Sequence, residues 1–133
     1  MDAWLVLVDK RREKANVAEV MNVVGEVDGM NCLIVDDMCD TGGTICKVAA
    51  ALHENGANEI YACFSHGVLS GNAIKNLGGS HIKKIIVTDT IPLDERGQEL
   101  EKDGRIEVLS VAELLATAIK SIHDETSVSF LFI

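Results

Sequence analysis

Apolar positions along the chain fall into short runs separated by acidic or glycine-bearing breaks. Residues 3–8 (AWLVLV), 32–35 (CLIV), 59–65 (EIYACFS), 83–88 (KKIIVT) and 105–109 (RIEVL) are too short for free-standing helices and too apolar for surface loops, so they predict strands. Alternation at Val20, Asn22 and Val24 adds a strand near residues 21–27. The run at 3–8 reads as a strand covered on both faces, and the run at 32–35 as the buried central strand. A buried strand this close to the first residue suggests that preceding chain is missing. Between the strands the period lengthens. Ile45, Val48, Ala49 and Leu52 recur at i, i+3, i+4 and i+7, predicting a helix over Gly43–Glu54 that Asn55 and Gly56 stop. Residues 72–77 form a short helix ended by Gly78 and Gly79. Residues 97–104 read as a charged surface connection. Ser110 and Glu113 form a capping box for a last helix whose apolar face is Val111, Leu114, Leu115, Ala118, Ile119 and Ile122. Residues 127–132 look like a final strand. Strands alternating with helices predict an α/β domain over residues 1–133, with a mostly parallel sheet flanked by helices and right-handed crossovers.

Composition narrows the function. With 133 residues and 47% apolar content the chain can bury a core. No run approaches the roughly 18 apolar residues that cross a bilayer, and Met1-Asp2-Ala3-Trp4 shows no basic region or cleavage signal, so secretion is not expected. A net charge of −9 excludes a nonspecific nucleic-acid surface. An anionic ligand must therefore be met locally, by a helix N-terminus, a few arginines or a metal ion. Cys32, Cys39, Cys46 and Cys63 lack C-x-x-C spacing and read as reduced thiols of a cytoplasmic protein. Cys39, in a loop, is the one expected to be exposed.

The chemistry concentrates in residues 31–44, NCLIVDDMCDTGGT. An apolar strand ends in Asp36 and Asp37; Asp40, Thr41, Gly42, Gly43 and Thr44 follow, and the helix begins at once. A helix N-terminus offers unpaired amides and a positive dipole end to a phosphate. The two glycines admit close approach and the two threonines add hydroxyls. Asp36 and Asp37 are suited to a sugar diol, or to magnesium held directly or through water. The phosphate loops G-x-x-x-x-G-K-[ST] and G-x-G-x-x-G are both absent. A phospho-aspartate signalling pocket would need a lysine at a later strand end, and none is there. A plain helix cap with incidental acids accounts for one carboxylate, not three beside two glycines. Residues 9–15 (DKRREKA) carry Lys10, Arg11, Arg12 and Lys14 directly after a strand, a solvated loop or a phosphate-facing one. His66 and His123 read as solvated or capping.

IVDDMCDTGGT resembles the phosphoribosyl-pyrophosphate-binding signature of type I phosphoribosyltransferases. Together with DKRREKANVAEVMNVVGEVDG, SHGVLSGNAI and the closing SVSFLF, the chain is similar to the C-terminal half of the ribose-phosphate pyrophosphokinases over nearly its whole length. The resemblance implies transfer of the pyrophosphoryl group of ATP to the C1 hydroxyl of ribose 5-phosphate, with magnesium. Under it Asp36 and Asp37 hold ribose hydroxyls, and Asp40, Thr41, Gly42, Gly43 and Thr44 cradle the 5-phosphate. Lys10 and Arg12 neutralise the transferring phosphates, and Ser127 and Ser129 help bind a regulatory nucleotide or phosphate. The family's N-terminal half is absent, so the resemblance implies a chain inactive alone that works with that half or as a homo-oligomer. Two alternatives stand beside it: a phosphoribosyltransferase using the same loop, and a non-catalytic partner subunit.

Overall fold

The computed structural model describes residues 4–11 and 20–132. The described residues form two sheets. β1 (Leu7–Arg11) and β2 (Val20–Val24) form an antiparallel ribbon, with Leu7 opposite Val24 and Lys10 opposite Met21. β3 (Cys32–Cys39), β4 (Ile60–Gly67), β5 (Ile82–Thr88) and β6 (Ile106–Leu109) form a parallel sheet in that order. α1 (Gly43–Glu54), α2 (Ala73–Gly78) and α3 (Glu95–Lys102) are the crossovers between successive strands. Crossovers of one hand between strands laid down in a constant direction put all three helices on one face, and α1 packs on α2 and α2 on α3. The core lies between this helix layer and the sheet. Phe64, Ile60, Leu77, Ile82, Ile85, Val87 and Ile106 are its largest fully buried apolar members.

The opposite sheet face is bare among the described residues. Leu33 is 58% and Val35 72% exposed, because β3 is an edge strand and no helix covers its second face. The expectation of a buried central strand at 32–35 therefore fails among the described residues, although its apolar run fits one. The first strand also differs. It starts at Leu7 and pairs antiparallel, leaving Trp4 83% and Leu5 87% exposed, so it is neither doubly buried nor part of the parallel sheet.

The charged surface stretch near residues 97–104 carries a helix that its composition does not announce, α3 over Glu95–Lys102. Asp94 starts it by accepting the Gly97 amide at 2.9 Å, with Arg96 paired to the same carboxylate. The tail folds as a 3-10 turn, Ser129–Phe132, and not as a strand. The Ser127 hydroxyl shares a 2.7 Å hydrogen bond with that of Ser129 and accepts the Ser129 amide, which favours a tight turn.

The last helix, α4 (Ala112–His123), starts at Val111 without the predicted capping box. Asp89, from beyond β5, accepts the Val111 amide at 2.9 Å, and Ser110 Oγ accepts the Ala112 amide. Hydrogen bonds from the Ser110 hydroxyl and then the Val111 amide hold the Asp89 carboxyl below the usual aspartate range. A lowered native pKa gives stability that is present above the ordinary aspartate value, near pH 4, and lost as pH falls through the lowered one. Asp89→Ala should therefore lower the urea midpoint at pH 7, and its gap from the parent chain should close on acidification. A gap independent of pH would contradict this cap. The helix's apolar side, with Leu114, Leu115, Ile119 and Ile122, is largely exposed.

Candidate functional site

The apolar run of β3 continues as strand past Val35, through Asp36 and Asp37 to Cys39. Ladder bonds to β4 extend it: Asp36 lies opposite Phe64, Met38 opposite His66 and Cys39 opposite Gly67. The two carboxylates thus sit inside the strand rather than in the loop after it. Neighbouring strand residues project to opposite faces, so Asp36 and Asp37 approach from the two sides of β3 and not as one fork. One oxygen of Asp36 accepts the Asp37 amide at 2.9 Å, which leaves its other oxygen and both of Asp37 for a ligand.

After Cys39 the chain turns through Asp40 and Thr41 to Gly42, which has φ 73° and is buried. A Cβ there would lie 3.2 Å from Leu77 Cγ. Left-handed backbone and close packing together call for glycine at this position. At Gly43 a Cβ would meet only Thr41 Oγ1, at 3.9 Å, so this glycine keeps the approach to the loop open. Gly42 O then accepts the Cys46 amide at 2.9 Å, closing the first turn of α1. Among the described residues the Gly43, Thr44 and Ile45 amides have no acceptor, and the first turn of α1 carries no acid. Residues 36–45 line one hollow of about 260 Å³. It joins two acids on a strand to the donor end of a helix.

Cys39 is 1% exposed and is not the accessible thiol expected from the sequence. Loss of water, then the nearby Cys46, Asp40 and Asp36, push its pKa up to about 11, against an opposing hydrogen bond from the Gly42 amide. A raised native thiol pKa contributes stability below its ordinary value that is lost as pH rises through about 11. Iodoacetamide at pH 8 should leave Cys39 unmodified in the folded chain. Rapid labelling there, read by peptide mass, would contradict the burial.

The other predicted site residues lie elsewhere. The backbone of Lys10 is in β1; Arg12 lies outside the described residues. Ser127 and Ser129 pair with each other at the start of the 3-10 turn, next to a shallow cleft of about 550 Å³ formed by α4, Thr126 and Phe130. Three residues that hold the loop carry no local sequence signal. Ser70 Oγ donates to Asp40 Oδ1, Asn76 Nδ2 donates to Thr41 O at 3.0 Å, and Leu77 packs under Gly42. They are 30 or more residues downstream, where no local pattern marks them. His66, read as a loop residue, is in β4, its Nδ1 2.9 Å from Thr90 Oγ1.

No cluster of three or more metal-ligating side chains occurs among the described residues. Asp36 and Asp37 are the carboxylates of the hollow that could hold a metal ion, together with waters and ligand oxygens.

A parallel sheet with helical crossovers, and at a strand's carboxyl end an acidic and glycine-bearing loop that opens a helix, define a type I phosphoribosyltransferase-like fold. A model of the phosphoribosyl synthetase-associated domain matches residues 8–133. A ribose-phosphate pyrophosphokinase of Caldanaerobacter subterraneus is 54% identical over 132 residues, 99% of this chain and 40% of that protein. One from Bordetella parapertussis is 52% identical over 99% of this chain and 42% of its own length. The crystal structure of phosphoribosylpyrophosphate synthetase from Mycobacterium smegmatis superposes with a TM-score of 0.71 at 38% identity, over 80% of this chain and 34% of that one. The chain belongs to the phosphoribosyl synthetase-associated domain family, and it spans about 40% of the length of the curated relatives it matches.

Proposed function

We propose that this chain is the ribose-5-phosphate-binding half of a ribose-phosphate pyrophosphokinase, which moves pyrophosphate from ATP to the C1 hydroxyl of ribose 5-phosphate and so makes phosphoribosyl pyrophosphate. One observation carries the reading: the single hollow lined by residues 36–45 sets carboxylates and unpaired helix amides side by side. The 5-phosphate lies at the Gly43, Thr44 and Ile45 amides, with the Thr41 and Thr44 hydroxyls beside it. Charge on the phosphate is favoured by the dipole end of α1, which offsets a net charge of −9. Asp36 and Asp37 accept from the ribose hydroxyls. Asp40, engaged by Ser70, serves to hold the loop and not to contact the phosphate.

Lys10 and Arg12 are assigned to the phosphates in transfer, where fixed positive charge stabilises the developing anion. Magnesium, held by Asp36 or Asp37 and by substrate oxygens, would supply electrostatic neutralisation of the triphosphate. The adenine pocket is assigned to the additional length that the relatives possess, so this chain alone is expected to be inactive. The bare sheet face at Leu33 and Val35 and the exposed side of α4 are the surfaces on which that half, or a second copy, would close. Ser127 and Ser129 are assigned to a regulatory nucleotide or phosphate.

Isothermal titration calorimetry of the purified chain tests the site. Ribose 5-phosphate should bind and ribose should not, because the helix amides reward only the phosphate. Equal heats for both sugars, or none for either, would contradict the assignment.

A further inference from the structure

We infer that Ser70 and Asn76 are positioning residues for the loop at 40–44, fixing its shape before any ligand arrives. This rests on the reading of the hollow as a sugar-phosphate site, and it concerns residues that touch no ligand in that reading. The loop carries two adjacent glycines, so its own backbone has little stiffness. Its shape is nonetheless specified from the segment after β4, at three points. The Ser70 hydroxyl donates to Asp40 Oδ1. The Asn76 side-chain amide donates to Thr41 O at 3.0 Å. The Leu69 amide donates to Cys39 O at 3.0 Å, at the root of the loop. Leu77, on α2 and fully buried, forms the floor under Gly42.

The bracing segment is itself anchored. Arg105 Nη2 reaches Leu77 O at 3.2 Å, Gly78 O at 3.4 Å and Ile82 O at 3.1 Å. A guanidinium on the last carbonyls of α2 satisfies acceptors that a helix end leaves open. The links therefore run from β6 through Arg105 and α2 to Asn76, and then to the phosphate loop. Donors held in place before binding spare the ligand the entropy of ordering them.

Asn76 and Ser70 are both exposed, so their removal leaves the core intact. Asn76→Ala also replaces a weak helix former by a strong one, which separates loss of the brace from loss of α2. Two measurements on the full chain test the inference. The first is hydrogen exchange without ligand, at the Cys46 amide bonded to Gly42 O and the Leu69 amide bonded to Cys39 O. The second is calorimetry with ribose 5-phosphate. Asn76→Ala and Ser70→Ala should each speed exchange at Cys46 and Leu69 by at least about threefold, leave Phe64 and Val87 unchanged, and weaken binding about threefold to tenfold. Ser70→Thr, which keeps the hydroxyl, should restore both. Parent-like exchange in both alanine variants, or parent-like affinity despite faster exchange, overturns the inference. If the parent chain binds no ribose 5-phosphate while the variants still exchange faster, the brace stands and the proposed function falls.

Discussion

Replacing Gly42 by valine is expected to destabilise the chain by about 2–5 kcal/mol and to abolish ribose 5-phosphate binding. Two costs combine. A β-branched residue at φ 73° is forced into left-handed backbone, at about 1–2 kcal/mol. Its Cβ would stand 3.2 Å from Leu77 Cγ, in a packed site where overfilling costs about 1–3 kcal/mol. Relief requires the loop to move, and then the amides of α1 no longer converge. Gly43→Ala is the informative contrast. Its Cβ has only Thr41 Oγ1 within reach, at 3.9 Å, and alanine is the better helix former, by about 0.5–1 kcal/mol. Stability should hold or rise while binding falls, because the new methyl occupies the phosphate's path. Urea denaturation and calorimetry on the two variants read both quantities. If Gly42→Val retained parental stability, Leu77 and the left-handed turn would not define the loop. If Gly43→Ala retained parental affinity, the phosphate would bind elsewhere.

Asp36→Asn combined with Asp37→Asn should weaken ribose 5-phosphate binding at least tenfold without lowering stability. Each substitution keeps the side chain's size, and an asparagine at 36 can still accept the Asp37 amide now bonded to Asp36 Oδ1. The charge is what is lost. A hydrogen bond to a charged acceptor contributes about 1.5–3 kcal/mol, and the two residues share one ligand, so their effects are not expected to add. In the ligand-free chain, among the described residues, neither acid has a cationic partner. Removing two negative charges from a chain of net charge −9 lowers its self-repulsion, so the thermal midpoint should stay unchanged or rise. Opposite signs for binding and stability mark residues placed for a ligand. A double variant that loses stability and keeps affinity would make the pair structural.

Much of the fold was legible because its elements carry their own signals. α1 spans the predicted Gly43–Glu54, since both its glycine-bearing start and its Asn55–Gly56 stop are local. β5 and β6 follow their apolar runs within a residue. What failed depends on neighbours distant in sequence. The 32–35 run suits a strand between two others, yet here β3 is an edge, and its ladder with β4 carries strand geometry on through both aspartates. Ser110 and Glu113 make a sound local cap, but Asp89, distant in sequence, engages the Ser110 hydroxyl and the Val111 amide. α3 was obscured by a mostly charged composition, although Asp94 signals its start. The hollow was legible as a contiguous motif because one strand, one turn and one helix start build it. Its supports at Ser70 and Asn76 were not, because only the packing of α2 brings them near.

The role of the hollow depends on whether the donor end of α1 receives the phosphate. An amide proton–nitrogen correlation spectrum of the chain, titrated with ribose 5-phosphate and separately with ribose, reads that directly. The Gly43, Thr44 and Ile45 amides should move downfield and saturate with ribose 5-phosphate, and stay in place with ribose. If those three resonances are unmoved while other surfaces shift, the anion binds somewhere else and the site assignment is wrong.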